Sequence, residues 1–129
     1  MKTVINQVPN GPKAAGPYSL GVIAEGKFLF VSGQGPYNPK TSKFERGTIE
    51  EQTELTLANI RAIVEAAGGK IENAVSCRVY LQPLDAQTFE KMNGVYKKFW
   101  GASLPVRTTV GCQLLNIDVE IDCIVALDK

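Results

Sequence analysis

The chain of 129 residues contains no histidine. This absence excludes Ser-His-Asp and Cys-His catalytic pairings, a histidine general base and histidine-ligated zinc. Any chemistry must therefore come from carboxylates, Tyr, Thr, Cys, Lys, Arg or backbone groups.

The chain also has few cysteines and little net charge. The three cysteines, Cys77, Cys112 and Cys123, are an odd number and lack the spacing of metal ligands. Each lies in an apolar strand pattern, where free cysteine behaves as a small buried hydrophobe, so a disulfide framework is not indicated. The net charge is +1 and the 14 basic residues are scattered. Because nucleic-acid binders usually carry a basic cluster, nucleic acid is not an expected partner.

Long apolar runs are missing as well. Runs such as residues 28–31 are far too short to span a bilayer, so no membrane partner is expected. Residues 1–7 lack the apolar core of a secretion signal, and we expect a cytoplasmic protein. The length and the 44% share of hydrophobic residues favour one globular domain over residues 1–129.

Hydrophobic periodicity predicts the order strand, strand, helix, strand, helix, strand, strand. The first two strands, 20–24 and 28–32, flank Glu25-Gly26-Lys27 and predict a hairpin. Thr48 and Glu51 fit a capping box that begins a helix, which ends near residue 67 before Gly68-Gly69. A polar connector, 37–47, precedes this helix.

The second half of the chain continues the pattern with a half-buried strand at 74–81 and a helix at 85–100. Two final strands, 106–113 and 117–127, are joined by the short segment Leu115-Asn116, which predicts an antiparallel pair. The last strand places Asp118, Glu120 and Asp122 together, opposite its apolar face.

This element order favours an α+β fold with both helices on one face of the sheet. The other face is expected to mix polar and apolar groups and to pack against other subunits, so we expect an oligomer. Its expected polar members are Ser76, Arg78, Tyr80, Arg107, Thr109 and Glu120.

Arg107 and Glu120 are the leading candidates for chemistry. A guanidinium matches a carboxylate through two parallel hydrogen bonds, and a nearby carboxylate can orient or deprotonate water. We hypothesise that Arg107 binds a small carboxylate substrate and that Glu120 handles water beside it. On these residues alone, the alternative is favoured, because an arginine on a strand is more often a salt-bridged surface residue.

Three further segments have weaker signals. Tyr18 follows Gly16-Pro17, which restricts the backbone just before the first strand and so gives Tyr18 a defined position. Tyr18 is either a site residue or a partly buried tyrosine that covers a sheet edge. Ser32-Gly33-Gln34-Gly35 allows close approach of backbone groups to a ligand, although Gly-Pro also simply ends strands. Asn93-Gly94 lies inside the second predicted helix, although both residues are poor helix formers. The pair is either a functional feature or a tolerated part of the surface.

Several segments in order carry a resemblance to the RidA (YjgF) family of imine and enamine deaminases over nearly the whole chain. They are GPY at 16–18, FVSGQ at 30–34, NIRAIVEAAG at 59–68, MNGVY at 92–96, PVR at 105–107 and VEID at 119–122.

The resemblance implies a chorismate-mutase-like α+β fold with a single mixed sheet, a homotrimer with sites between subunits, and no metal or organic cofactor. It implies hydrolysis of 2-imino acids and their enamine tautomers, such as 2-aminoacrylate and 2-iminobutanoate, to 2-keto acids and ammonia. Arg107 would bind the substrate carboxylate and Glu120 would position water. The pocket would be lined by Tyr18, Ser32, the backbone of Gly33, Asn93 and Thr109.

The chain departs from the family pattern in three places. Thr109 stands where many members have cysteine, Gly35 stands where they often have isoleucine, and the connection between the last strands is about two residues shorter. These departures leave open a deaminase for a larger enamine of the aminomuconate type. A non-enzymatic ligand-binding trimer and an RNA-acting protein also stay open as functions.

Overall fold

The computed structural model of the chain describes residues 1–128. Its strands are β1 Lys2–Ile5, β2 Gly21–Ala24, β3 Lys27–Gln34, β4 Tyr37–Asn38, β5 Lys43–Phe44, β6 Ala74–Leu81, β7 Val106–Gly111 and β8 Val119–Leu127. Helix α1 spans Ile49–Ala66, helix α2 spans Ala86–Trp100, and a short 3-10 turn, Ile71–Asn73, precedes β6. No helix in this described stretch is long and apolar enough to cross a membrane.

The main sheet has four strands in the order β3-β8-β6-β7. β7 runs parallel to β6, while β8 is antiparallel to both β3 and β6. Both helices pack on one face and share one apolar core with the sheet. The expected α+β fold with a mixed sheet and two helices on one face is therefore confirmed. The sequence does not predict the two small sheets, β1-β2 and β4-β5.

The predicted hairpin between the first two strands is wrong. Gly26 has a φ of 108° and supplies the turn. However, β2 pairs with β1, and β3 pairs with β8. Turn chemistry is local and leaves the pairing partner open. The eight residues of β3 instead align with the nine-residue apolar strand β8.

The predicted antiparallel pair of final strands is also wrong. β7 and β8 are not neighbours, because β6 lies between them in the sheet. β6, α2 and β7 form a β-α-β unit, and a helical crossover of this length favours a parallel strand pair. The short segment after β7 therefore leads across β6 rather than into a hairpin.

Both helices begin where the sequence predicts. The Thr48 hydroxyl accepts a hydrogen bond from the Glu51 N–H at 3.1 Å, and the Glu51 carboxylate accepts one from the Thr48 N–H at 2.9 Å. The hydrogen bond from the Thr48 N–H, and then the nearby Thr48 hydroxyl, lower the pKa of the Glu51 carboxyl. In α2, the Asp85 carboxylate accepts from the Thr88 N–H at 2.8 Å. Capping of this kind stabilises a helix by about 1 kcal/mol.

The register of the sheet decides which side chains share a face. Arg107 lies opposite Cys77, Cys77 opposite Cys123, and Cys123 opposite Val31. The last three belong to the apolar core under the helices. Because directly paired residues point to the same side of a sheet, Arg107 also points to the helix side.

Glu120 points the other way. It lies opposite Tyr80, which in turn lies opposite Val110, and its neighbour Ile121 is buried in the core. The expectation that Arg107 and Thr109 share the face of Glu120 is therefore wrong. The alternation along β7 is as predicted, but only its register against β6 assigns each set of side chains to a face.

Asp118 joins the start of β8 to helix α1. Its carboxylate accepts hydrogen bonds from Gln52 Nε2 at 2.9 Å and from Arg46 Nη2 at 2.8 Å. The Oε1 atom of Gln52, a residue that is 1% exposed, accepts from the Asp118 N–H at 2.8 Å. Asp118 thus turns towards α1, and the prediction that it shares the outer face of Glu120 and Asp122 is wrong. These bonds fix the backbone two residues before Glu120.

We expect Asp118→Asn to destabilise the protein by about 1–2 kcal/mol at pH 7, because charge-assisted hydrogen bonds are lost beside a partly solvated arginine. The hydrogen bond from Arg46, and then that from Gln52, lower the pKa of Asp118 below its ordinary 3.8. The stabilisation is therefore present above the unfolded pKa and is lost as the pH falls through the folded pKa.

Urea unfolding between pH 7 and pH 3 measures the free energy of unfolding of the parent protein and of Asp118→Asn. The difference between the two free energies should become smaller below about pH 4. Glu65→Gln, on the exposed side of α1, is the matched control and should show no such trend. A constant difference across the range would contradict the assignment.

Candidate active site

Arg107 is half-buried on the edge strand β7, on the helix side of the sheet. Its Nη1 atom donates a hydrogen bond to Oδ1 of Asn93 on α2 at 2.7 Å. Within residues 1–128, the salt bridges are Arg46–Asp118 and Arg78–Asp122, and Arg107 has no carboxylate partner. The structure therefore does not support the interpretation of Arg107 as a salt-bridged surface residue.

Aromatic rings surround the guanidinium of Arg107. Its central carbon lies 5.0 Å from the ring centroid of Tyr96, 5.5 Å from that of Phe89 and 5.7 Å from that of Tyr18. These distances are within the range of cation–π attraction. Burial lowers the pKa of Arg107. Arginine nevertheless stays protonated in proteins, so the site holds a partly desolvated cation.

The N-terminal arm closes against this cation. The Tyr18 N–H donates to the Gly16 carbonyl at 2.9 Å, and the Ser19 N–H donates to the Pro105 carbonyl at 3.1 Å. A Cβ built on Gly16 would lie 3.7 Å from Nη2 of Arg107. Tyr18 therefore does have the defined position that its Gly-Pro context predicts, and its ring contacts the candidate arginine.

Thr109, Cys77 and Tyr96 place polar but uncharged groups around the Arg107 site. The Thr109 hydroxyl oxygen is buried and has no hydrogen-bond partner among residues 1–128. Burial raises the pKa of the Cys77 thiol and of the Tyr96 phenol well above their ordinary values. Both stay neutral at pH 7, so the charge of Arg107 is left for an anionic ligand.

A cavity of about 370 Å³ extends from the N-terminal arm over β6 and β7. This volume is in the range of small-molecule sites. The residues that line it are Tyr18, Ser19, Leu20, Ser76, Cys77, Arg78, Val106, Arg107 and Thr108.

Glu120 lies on the outer face of the sheet, against the backbone of Gly33. A Cβ built on Gly33 would be only 2.6 Å from Oε2 of Glu120, so a side chain there would displace the carboxylate. The pairing of β3 with β8 is irregular between Val31 and Gln34, at this same point. Ser32 is exposed beside them and lines a cavity of about 220 Å³ together with Gly33.

The predicted site residues thus form two groups within one chain. The cation group contains Tyr18, Asn93, Arg107 and Thr109, on the helix side of β7. The carboxylate group contains Ser32, Gly33 and Glu120, on the outer side of β3 and β8. Because β6 lies between β7 and β8, these two strands are about 10 Å apart, and the groups also occupy opposite faces. A single chain does not place Glu120 beside Arg107.

Sequence reasoning misses some residues of both groups. Periodicity assigns Phe89 and Tyr96 only to the apolar stripe of α2, yet their rings contact the guanidinium of Arg107. Tyr37 and Phe44 lie in the predicted polar connector, but their rings pack edge to face at 5.3 Å and line a cavity that reaches Glu120. Two aromatic residues in an otherwise polar segment are the available signal.

No cluster of three or more His, Cys, Asp or Glu side chains suited to a metal ion occurs in the described part of the chain. The chemistry that these groups support is electrostatic capture of an anion at Arg107 and handling of a proton or water at Glu120.

Comparison with known proteins identifies relatives along nearly the full chain. The sequence profile of the family described as Endoribonuclease L-PSP matches residues 8–127. A RutC family protein of Pyrococcus horikoshii is 44% identical over 122 residues, which cover 95% of this chain and 94% of that one. A 2-iminobutanoate/2-iminopropanoate deaminase of Dermatophagoides farinae is 32% identical over 126 residues and 96% of each chain.

A solved structure agrees with these matches. The crystal structure of RidA from an Antarctic Psychrobacter has a TM-score of 0.71 and 32% sequence identity, and the alignment covers 94% of this chain and 97% of that one. On this evidence the chain belongs to the Endoribonuclease L-PSP family, the family of RidA and the RutC proteins.

Proposed function

We propose that this protein is a hydrolytic deaminase that converts reactive 2-imino acids and their enamine tautomers to 2-keto acids and ammonia. The observation that carries the proposal is the guanidinium of Arg107. It is partly desolvated, it is oriented by Asn93 and three rings, and no carboxylate within residues 1–128 neutralises it. Such a group suits the carboxylate of a small substrate.

The reaction needs orientation more than strong acid–base power. A protonated 2-imino acid is already an electrophile at its C=N carbon. Arg107 binds the carboxylate through two hydrogen bonds, and Glu120 accepts a proton from the attacking water. The C–O bond forms first and gives a carbinolamine, and Glu120 then returns its proton to the nitrogen. As the C–N bond breaks and ammonia leaves, the hydroxyl proton passes to Glu120, and the 2-keto acid remains.

The separation of the two groups favours a site between subunits. Because Arg107 and Glu120 point to opposite faces of one sheet, the Arg107 group of one copy would have to meet the Glu120 group of another. The outer face also exposes apolar side chains, namely Phe30 and Phe28 on β3 and Val110 on β7, of which Phe30 is 73% exposed. Exposed apolar patches commonly mark interfaces. These features support an assembly with sites between copies, and the homotrimer that the family resemblance implies is the assembly that we propose.

The named relatives support the same chemistry. The mite relative is called a 2-iminobutanoate/2-iminopropanoate deaminase, and a relative from Arabidopsis thaliana with 33% identity is called Reactive Intermediate Deaminase A. RNA cleavage, which the family description names, has no matching feature here, since the chain has no histidine and no basic cluster. We retain the cytoplasmic location as a prediction.

We expect Arg107→Ala to lower the rate of 2-imino acid hydrolysis about ten- to a hundredfold, because a charge-assisted contact of roughly 1.5–3 kcal/mol is lost. Arg107→Lys should also lose most activity, since an ammonium cannot reproduce the two-pronged contact. The assay generates 2-aminoacrylate with a serine dehydratase and follows formation of the keto acid. Arg61→Ala, an exposed arginine on α1, is the control and should keep the parent rate.

We expect Glu120→Gln to retain binding of a 2-keto acid while turnover falls at least about tenfold, because the amide cannot accept the proton of water. Calorimetric titration with 2-ketobutanoate and the same rate assay separate the two effects. Turnover at the parent rate would contradict this role for Glu120. Binding by the parent protein without any turnover would instead identify a ligand-binding protein.

Mixing the two inactive variants tests whether the sites lie between copies. Arg107→Ala and Glu120→Gln subunits, denatured together and refolded at equal amounts, should recover about a quarter of the parent activity. In a closed ring of three, each mixed trimer has one interface with both groups intact. Refolding of each variant alone is the control. If the mixture stays as inactive as its components, the site does not combine Arg107 and Glu120 of different copies.

A further inference from the structure

The cavity lined by Tyr37 and Phe44 adjoins Glu120 and has no role in the reaction described so far. Its volume is about 390 Å³, within the range of small-molecule pockets. Most of its wall is apolar or aromatic. The residues that line it are Gly33, Gln34, Gly35, Tyr37, Phe44, Leu115, Ile117 and Glu120.

The position of the cavity relates it to the substrate. Glu120 belongs both to this cavity and to the proposed chemistry, and Gly33 forms the floor beneath its carboxylate. A substrate whose reactive carbon lies at Glu120 would direct one of its two remaining ends into this space. The carboxylate end is assigned to Arg107, so the side chain of the substrate is left for the cavity.

Gly35 shows how the apolar wall is built. A Cβ on Gly35 would lie 2.8 Å from Cδ1 of Ile117 and 3.3 Å from Cε1 of Phe44. The space that a side chain would occupy at this position is therefore filled from other segments, by Ile117 and Phe44.

The hairpin that carries these rings is anchored. Asn59 Nδ2 on α1 donates to the carbonyls of Gly35 at 3.2 Å and of Tyr37 at 2.8 Å. The Glu45 N–H donates to the Pro36 carbonyl at 2.8 Å. Tyr37 and Phe44 are therefore held by the scaffold, and a held ring loses little conformational entropy when a ligand contacts it.

Charge decides which kind of side chain the cavity can accept. Its lining residues include one carboxylate, Glu120, and no lysine or arginine. A second carboxylate on the substrate, as in an aminomuconate-type compound, would be desolvated beside a like charge without a cation to pair with. Apolar groups face no such cost there. Phe44 and Leu115 stay 57% and 87% exposed, so a ligand could cover their apolar surface.

We propose that Tyr37, Phe44, Leu115 and Ile117 form a side-chain subsite that makes this protein selective for 2-imino acids with a bulky apolar side chain, branched or aromatic. The inference rests on the proposed deaminase function. It assigns specificity to the β4–β5 hairpin and to the segment before β8, neither of which contributes a residue to the proposed chemistry.

The test compares imines that differ only in the side chain. An L-amino acid oxidase generates the imines of alanine, leucine and phenylalanine in situ, and semicarbazide traps whatever imine is not hydrolysed. The parent protein should show a larger kcat/KM for the leucine and phenylalanine imines than for the alanine imine. Phe44→Ala should lower the ratio of phenylalanine to alanine kcat/KM about tenfold, the scale of a lost apolar pocket contact.

Leu115→Ala is the second variant, and its high exposure makes retention of the fold expected. It should also lower the ratio of phenylalanine to alanine kcat/KM. Leu84→Ala, an exposed apolar residue outside the cavity, is the matched control and should leave the ratio unchanged. Thermal melts of all three variants check that the fold is intact.

The outcomes separate the two proposals. If the parent hydrolyses all three imines without preference for the larger ones, or if Phe44→Ala and Leu115→Ala leave the ratio unchanged, the subsite is overturned while the deaminase stands. If no imine is hydrolysed faster than in buffer, both the subsite and the proposed function are overturned. Loss of the preference in both cavity variants, with the ratio of Leu84→Ala unchanged, supports the subsite.

Discussion

The parallel register of β7 against β6 is the constraint on which the rest of the site depends. It sets Arg107 opposite Cys77, in the row of side chains that faces the helices. Since side chains alternate along a strand, a shift of one residue would move Arg107 to the outer face and away from Asn93 and Tyr96. Glu120, on β8, lies on the outer face, and that separation is why the proposed site requires two copies.

Uncharged groups surround the guanidinium of Arg107 and stabilise it. Burial of a charge is costly unless other groups compensate, and salt bridges are the common solution. Here the amide oxygen of Asn93 and the faces of three rings stabilise the cation instead. Burial keeps Cys77 and Tyr96 protonated, so neither supplies a counter-charge. The position of the guanidinium is fixed while its charge stays available.

On the outer face of the sheet, the close approach of the Gly33 backbone helps to fix the position of Glu120. Glu120 lies over Gly33 because glycine has no Cβ to displace it. The start of its strand is fixed by Asp118, whose backbone N–H and carboxylate both bond to Gln52. The β4–β5 hairpin beside it is fixed by Asn59. Helix α1 therefore positions the carboxylate group through side-chain amides, as α2 positions the cation group through Asn93.

The sequence by itself determined the helices with their caps, the apolar face of β8 and the fold class, and its short motifs supplied the residues that we propose for the site. These features depend on local chemistry and on periodicity, which neighbouring residues encode. Only the tertiary structure decided that β2 pairs with β1, that β6 separates β7 from β8, and that Arg107 and Glu120 occupy opposite faces. Strand pairing and register depend on contacts between distant segments, and a local pattern of alternating residues is equally compatible with either face.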